Sequence, residues 1–290
     1  MNAPHMNIHA PAGGEIRLNE VTRWLGTEAD ARPVIEDCSM TMEPGKLTVL
    51  VGPSGCGKTT LVNLMAGYEI PDAGEILLDG EPVRGPGRDR LVVFQESALF
   101  PWMTTWENIT YGPKVGRAVS ARETEERGNA LLRTVGLTDF RDKYPSQLSG
   151  GMQRRAELAR AMINRPKVML MDEPFRGLDA MTRSLMQEYY ARIFEQERLT
   201  NIFVTSELDE ALFLADTLII LTNSPARVKK VLSIDLERPR TFAMLTSNAC
   251  SAYRQEALEL LHEEALRSFA RGSADAADVI QAYAAREKQE

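Results

Sequence analysis

Gly52, Pro53, Ser54, Gly55, Cys56, Gly57, Lys58 and Thr59 match the pattern G-x-x-x-x-G-K-[ST] in full. Glycines at this spacing let the backbone turn tightly, so that successive N–H groups converge on one concavity suited to phosphate oxygens. A helix beginning near Lys58 adds its positive N-terminal end to the same spot, with Thr60 in its first turn. The Lys58 ammonium reaches the outer phosphates and the Thr59 hydroxyl is placed to ligate Mg²⁺. This chemistry calls for a nucleoside triphosphate. Farther along, Asp172 and Glu173 close an apolar run. Before them, Ser149, Gly150 and Gly151 set a hydroxyl and bare amides at a helix start, a second place for an anion.

These residues need elements to hold them. Residues 47–51 are apolar and β-branched, as in a buried strand, and Leu61, Leu64 and Met65 follow the loop at helical spacing. Alternation over 15–23 and 34–42 predicts two strands before the loop. A turn at 71–74, a strand at 75–78 and the Asp79-Gly80 hairpin signal come after it. Strands are expected at 91–94, 167–171, 201–204 and 218–221. Helices are expected at 123–135, 153–164, 182–196 and 209–214. Strands alternating with helices imply a parallel core sheet covered on both faces. Beyond Pro239 an amphipathic run over 252–269 and a weaker one over 274–286 read as a helical extension. The expected division is a disordered tail at 1–14, one α/β domain at 15–240 and the extension at 241–290.

The chain has 290 residues, 34 Lys and Arg against 41 Asp and Glu, and a net charge of −7. That balance argues against a broad nucleic-acid surface. Three cysteines (Cys38, Cys56, Cys250) are too few and too scattered for a disulfide framework or zinc site, which suits a reducing compartment. No apolar run approaches 18 residues, and the first residues lack the charged and apolar regions of a signal peptide.

Taken together, the glycine loop, Gln95, the run Leu148-Ser149-Gly150-Gly151-Met152-Gln153 and the run Val168-Met169-Leu170-Met171-Asp172-Glu173-Pro174 resemble the ATP-binding subunit of an ABC transporter over about residues 16–240. The resemblance implies a P-loop NTPase fold: a parallel core sheet, an N-terminal antiparallel β part, a helical subdomain carrying the Ser149 signature, and the C-terminal extension. It implies ATP and Mg²⁺ as ligands, with Asp172 and Gln95 joining Thr59 around the metal. It also implies Glu173 as the general base for water. By the same resemblance Ser149, Gly150 and Gly151 close over ATP held by a second ATPase subunit, identical or different, and Asp179 in Gly177-Leu178-Asp179 passes beside that partner's site. An aromatic residue near the end of the first strand stacks the base. Trp24 fits by type, and spacing equally allows Leu25.

Residues 97–111, with Leu99, Phe100, Pro101, Trp102, Met103 and Trp106, resemble the surface that receives a transmembrane permease, or else form a satellite core. Gly85 to Arg90, Leu99-Phe100-Pro101-Trp102 and Met171 to Phe175 resemble the importer subfamily for nitrate, sulfonates and taurine. A peripheral subunit on the cytoplasmic face of the plasma membrane follows, served indirectly by a solute-binding protein, with no nucleic-acid partner. One position departs from the family. Where it has a histidine contacting the γ-phosphate, the chain has Ser206, between Thr205 and Glu207. A weakly hydrolysing or regulatory subunit paired with a different ATPase subunit is therefore the alternative expectation.

Overall fold

The computed structural model describes residues 13–27, 30–116 and 119–272. The antiparallel pair β1 (Ile16–Leu25) and β2 (Arg32–Met42) comes first. Strand β3 (Leu47–Val51) then leads through the glycine loop into α1 (Lys58–Ala66). β4 (Ala73–Leu78) and β5 (Glu81–Pro82) complete a four-stranded antiparallel sheet in the order β2-β1-β4-β5. After β6 (Arg90–Val93), the helices α2 (Thr105–Gly116), α3 (Ala121–Thr134) and α4 (Gly150–Met162) pack around Leu99, Ile109, Leu132, Ala156, Ala159 and Ile163. β7 (Val168–Asp172), α5 (Ala180–Glu197), β8 (Thr200–Val204), α6 (Leu208–Leu214) and β9 (Thr217–Leu221) follow in the expected alternation.

The second sheet has six strands in the order β10-β9-β3-β8-β7-β6. It is parallel except for β10 (Val228–Ser233), an edge strand that runs antiparallel to β9 and has no counterpart in the sequence reading. Its Val, Lys, Lys, Val run lacks a clean period-two pattern, because only Leu232 of the strand is buried. The last element is α7 (Asn248–Gly272). Tyr253, Ala257, Leu260 and Leu261 pack it against the core, so the described part of the extension serves intramolecular packing. The weaker segment at 274–286 lies outside the described residues, as do residues 1–12 of the expected tail. Gly14 already touches the core, its N–H donating to Lys167 O at 3.3 Å.

A parallel strand buried on both faces sends alternate side chains to different layers. In β3, Val49 and Val51 face the cluster shared with α5 and α6, and Leu50 faces the cluster shared with α1 and the antiparallel sheet. In β7, Met169 and Met171 take the first side, Val168 and Leu170 the second. Continuing that count turns Asp172 toward α1. The alternation of an apolar strand thus decides where its terminal carboxylate points.

Candidate functional site

The carboxyl ends of β3, β8 and β7 lie side by side, because Leu50 pairs with Val204 and Val204 with Asp172. Parallel α/β sheets bind their ligands at that edge. Here it opens into a cleft of about 440 Å³ lined by Leu25, Arg32, Val34, Ser54, Gly55, Gly57, Lys58, Thr59, Thr60, Gln95, Asp172, Glu173, Arg176 and Ser224.

The glycine loop builds one wall. Gly57 caps α1 in a left-handed conformation at φ 114°, and a Cβ there would stand 3.1 Å from the Val34 carbonyl oxygen, so only glycine fits. Lys58 is buried, and its Nζ donates to Gly52 O at 2.8 Å and Pro53 O at 3.0 Å. Those two residues therefore serve the site through their carbonyls rather than by lining it. Cys56 turns its side chain into the core between the loop and β2, where burial pushes its thiol up from the ordinary range.

The opposite wall is acidic. Thr59 Oγ1 donates to Asp172 Oδ2 at 2.7 Å, as the strand alternation requires. Burial pushes the Asp172 carboxyl up, beyond what the Thr59 hydrogen bond takes back. Glu173 leaves the strand at φ 44°, a left-handed conformation unusual for a non-glycine residue. The turn separates two adjacent carboxylates. Asp172 faces Thr59, and Glu173 Oε2 accepts from Arg176 Nη1 at 2.8 Å. Gln95, just past β6, lines the cleft, and its carbonyl is held by Arg154 Nη2 at 2.7 Å. Arg154 also bonds Phe94 O and Glu157, and Arg160 bonds Ala98 O at 2.8 Å. Helix α4 thus grips the Gln95 segment through side chains that the sequence pattern places merely away from its apolar face.

The structure does not bring every expected residue here. Of the two residues left open for the base, Leu25 lines the cleft and Trp24 does not. Both side chains are exposed, and as neighbours on one strand they face opposite ways, beside a register shift between Arg23 and Trp24. Ser206 follows β8, is exposed, and is likewise absent from the lining. Ser149, Gly150, Gly151 and Asp179 stand apart. Ser149 caps α4 by accepting from Met152 N–H at 3.3 Å, and Asp179 caps α5 by accepting from Thr182 N–H at 3.0 Å. The two helix starts are pressed together, since a Cβ on Gly151 would lie 2.9 Å from Thr182 Cγ2. Arg176, which lines the cleft, went unused in the sequence reading. The only signal was a charged residue placed three positions after Glu173.

Phe100, Trp102 and Tyr111 form an aromatic patch, with Phe100–Trp102 centroids 5.6 Å apart and Phe100–Tyr111 4.9 Å apart. Trp102 is 69 % exposed. Trp106, expected at the same surface, is half-buried against the helical subdomain, with Arg141 stacked 3.6 Å over its ring. It lies on the side of α2 that meets α3, where a Cβ on Gly128 would come within 2.6 Å of the ring.

The family model described as "ABC transporter" matches residues 35–176. An uncharacterised ABC transporter ATP-binding protein of Methanocaldococcus jannaschii is 40% identical over 254 residues, 88% of this chain and 94% of that protein. The chain belongs to the ABC transporter family. A nitrate import ATP-binding protein of Synechococcus elongatus is 42% identical to this ABC subunit, over 86% of this chain and 92% of its own. A taurine import ATP-binding protein of Chromobacterium violaceum is 43% identical over 70% of this chain and 77% of its own. A solved dimeric ATP-binding cassette, in a post-hydrolysis state with ADP and phosphate, superposes with a TM-score of 0.66 at 26% identity. That match covers 77% of this chain and 100% of the cassette. The fold is that of an ABC ATPase, and the chain binds ATP as an ATPase of this family. Among the described residues no helix is long and apolar enough to cross a membrane.

Proposed function

We propose that this ABC ATPase hydrolyses ATP in the cleft at the ends of β3, β8 and β7 and so powers import of a small solute of the nitrate, sulfonate or taurine kind through a permease. The observation that carries the chemistry is the 2.7 Å contact of Thr59 Oγ1 with Asp172 Oδ2, with Lys58 and Glu173 lining the same cleft. The donor set there fits Mg²⁺: both ligands are hard oxygens, and the buried Asp172 carboxylate favours a cation beside it. Thr59 and Asp172, with Gln95, would hold the ion. Bound there it would neutralise charge on the β- and γ-phosphates.

The protein's own groups do the rest. Amides of the Ser54–Thr60 loop and the Lys58 ammonium bind the phosphate chain, and Leu25 and Val34 offer an apolar wall for the base. Glu173 accepts a proton from water as the water oxygen bonds to the γ-phosphorus. The bond from that phosphorus to its bridging oxygen breaks, and the electron pair leaves on ADP. Ser149, Gly150, Gly151 and Asp179, which lie away from this cleft, complete the corresponding site of a second ATPase subunit. The subunit then sits at the cytoplasmic face of the membrane, and a solute-binding protein supplies the permease.

The aromatic patch is the docking surface in this reading. It borders a groove of about 390 Å³ formed with Leu91, Phe94, Phe100, Tyr111 and Arg160, directly beside the segment that carries Gln95. Trp102→Glu is expected to leave the protein folded and binding ATP, yet unable to co-purify with the permease from solubilised membranes. Wild-type recovery of the complex would remove the patch from docking, and an unfolded variant would make it core.

A further inference from the structure

Glu173 is not alone at its end of the cleft. Pro174 and Phe175 follow it into the core, where the Phe175 ring lies 5.6 Å from that of Phe203 and 6.1 Å from that of Tyr190. This anchors the turn from below, and the Arg176 N–H donates to Glu173 O at 3.1 Å. Arg176 therefore rises from a rigid base. One guanidinium nitrogen bonds Glu173 Oε2, and the side chain is 60% exposed on the cleft lining. Guanidinium carries five N–H donors in a planar fork. Only the bond to Glu173 engages them among the described residues. The cationic side chains lining the cleft are Arg32, Lys58 and Arg176. Lys58 lies across the loop and is held by two carbonyls, while position 206, next along the sheet edge, is a neutral serine.

We infer that Arg176 is the second fixed cation of the hydrolysis step, tethered by Glu173 Oε2 while its remaining donors face the phosphoryl group in transfer. The inference rests on the proposed role of Glu173. Negative charge spreads over the three outer oxygens of that group as it moves between water and ADP. A preorganised donor pays off most against charge that develops during the reaction. Binding of ADP, which lacks the group, is left to the glycine loop and Lys58. The tether also fixes the Glu173 carboxylate with Oε1 available to take the proton.

The test compares the full-length wild type with Arg176→Ala, Arg176→Lys and Glu173→Gln, measuring steady-state hydrolysis and the affinities for ADP and for ADP with aluminium fluoride, a planar mimic of the transferring group. Arg176→Ala is expected to lose about 10²-fold in kcat, the usual scale for one positioned donor, with KM changed only a few-fold. It should keep its ADP affinity and lose its preference for the fluoride complex. Arg176→Lys keeps the charge without the fork and should recover part of both losses. The inference is overturned if Arg176→Ala hydrolyses at or above the wild-type rate with the fluoride preference intact, since the ion pair would then merely restrain Glu173. A parallel loss of ADP binding also overturns it. Glu173→Gln separates the two readings: full turnover by that variant removes the base assignment, whatever Arg176→Ala does.

Discussion

Glu173→Gln is expected to bind ATP as the wild type does and to turn it over at least about 10²-fold more slowly, the usual scale for loss of a general base. The amide keeps the size of the side chain and an oxygen for Arg176, so the 2.8 Å contact and the turn beneath it need not move. What disappears is a group basic enough to take a proton from water. The glycine loop, Lys58 and the Thr59–Asp172 pair are untouched, so nucleotide is captured and not consumed. With hydrolysis stopped, ATP should accumulate a stable dimer, read as a doubling of mass in size-exclusion chromatography with light scattering. Turnover at the wild-type rate would take Glu173 out of that role.

Lys58→Ala is expected to abolish most nucleotide affinity. Hydrogen bonds to a charged group contribute about 1.5–3 kcal/mol each, so losing the ammonium's contacts to the outer phosphates weakens binding by about 10²-fold or more. Two carbonyls, Gly52 O and Pro53 O, would also lose their donor and could let the loop drift from its phosphate-cradling shape. Equilibrium dialysis with labelled ATP measures this directly, and unchanged circular dichroism and melting would separate lost binding from lost folding. Near-wild-type affinity would contradict the phosphate-loop assignment.

Much of this was legible in the residues themselves. The loop match, the apolar run at 47–51 and the helix after it became β3 and α1 because local sterics and burial point to the same answer there. The run into Asp172 read as a strand for the same reason, and the period of two then turned the carboxylate toward Thr59. Legibility ended where neighbours on one element must be told apart. Trp24 and Leu25 are adjacent on an irregularly paired strand, and only the structure shows that Leu25 is the one lining the cleft. Trp106 and Trp102 share one apolar stretch, but the first is half-buried under Arg141 against the helical subdomain and the second stands in solvent. Arg154 and Arg160 looked like the wet side of an amphipathic helix, yet their partners are backbone carbonyls about sixty residues away. Long-range contacts of that kind leave no periodicity to read.

The left-handed backbone at Glu173 sets heat tolerance against turnover. An L-residue there gives up about 1–2 kcal/mol that glycine, or in part asparagine, would not. A library screened only for a higher melting temperature would therefore drift toward those residues at position 173. On the proposed role of Glu173 as the base, the survivors would fold well and capture nucleotide, and they would be idle as motors. Such a chain would pass every assay of structure and binding, which makes the identity of residue 173 a better guide to work output in its relatives than stability or affinity.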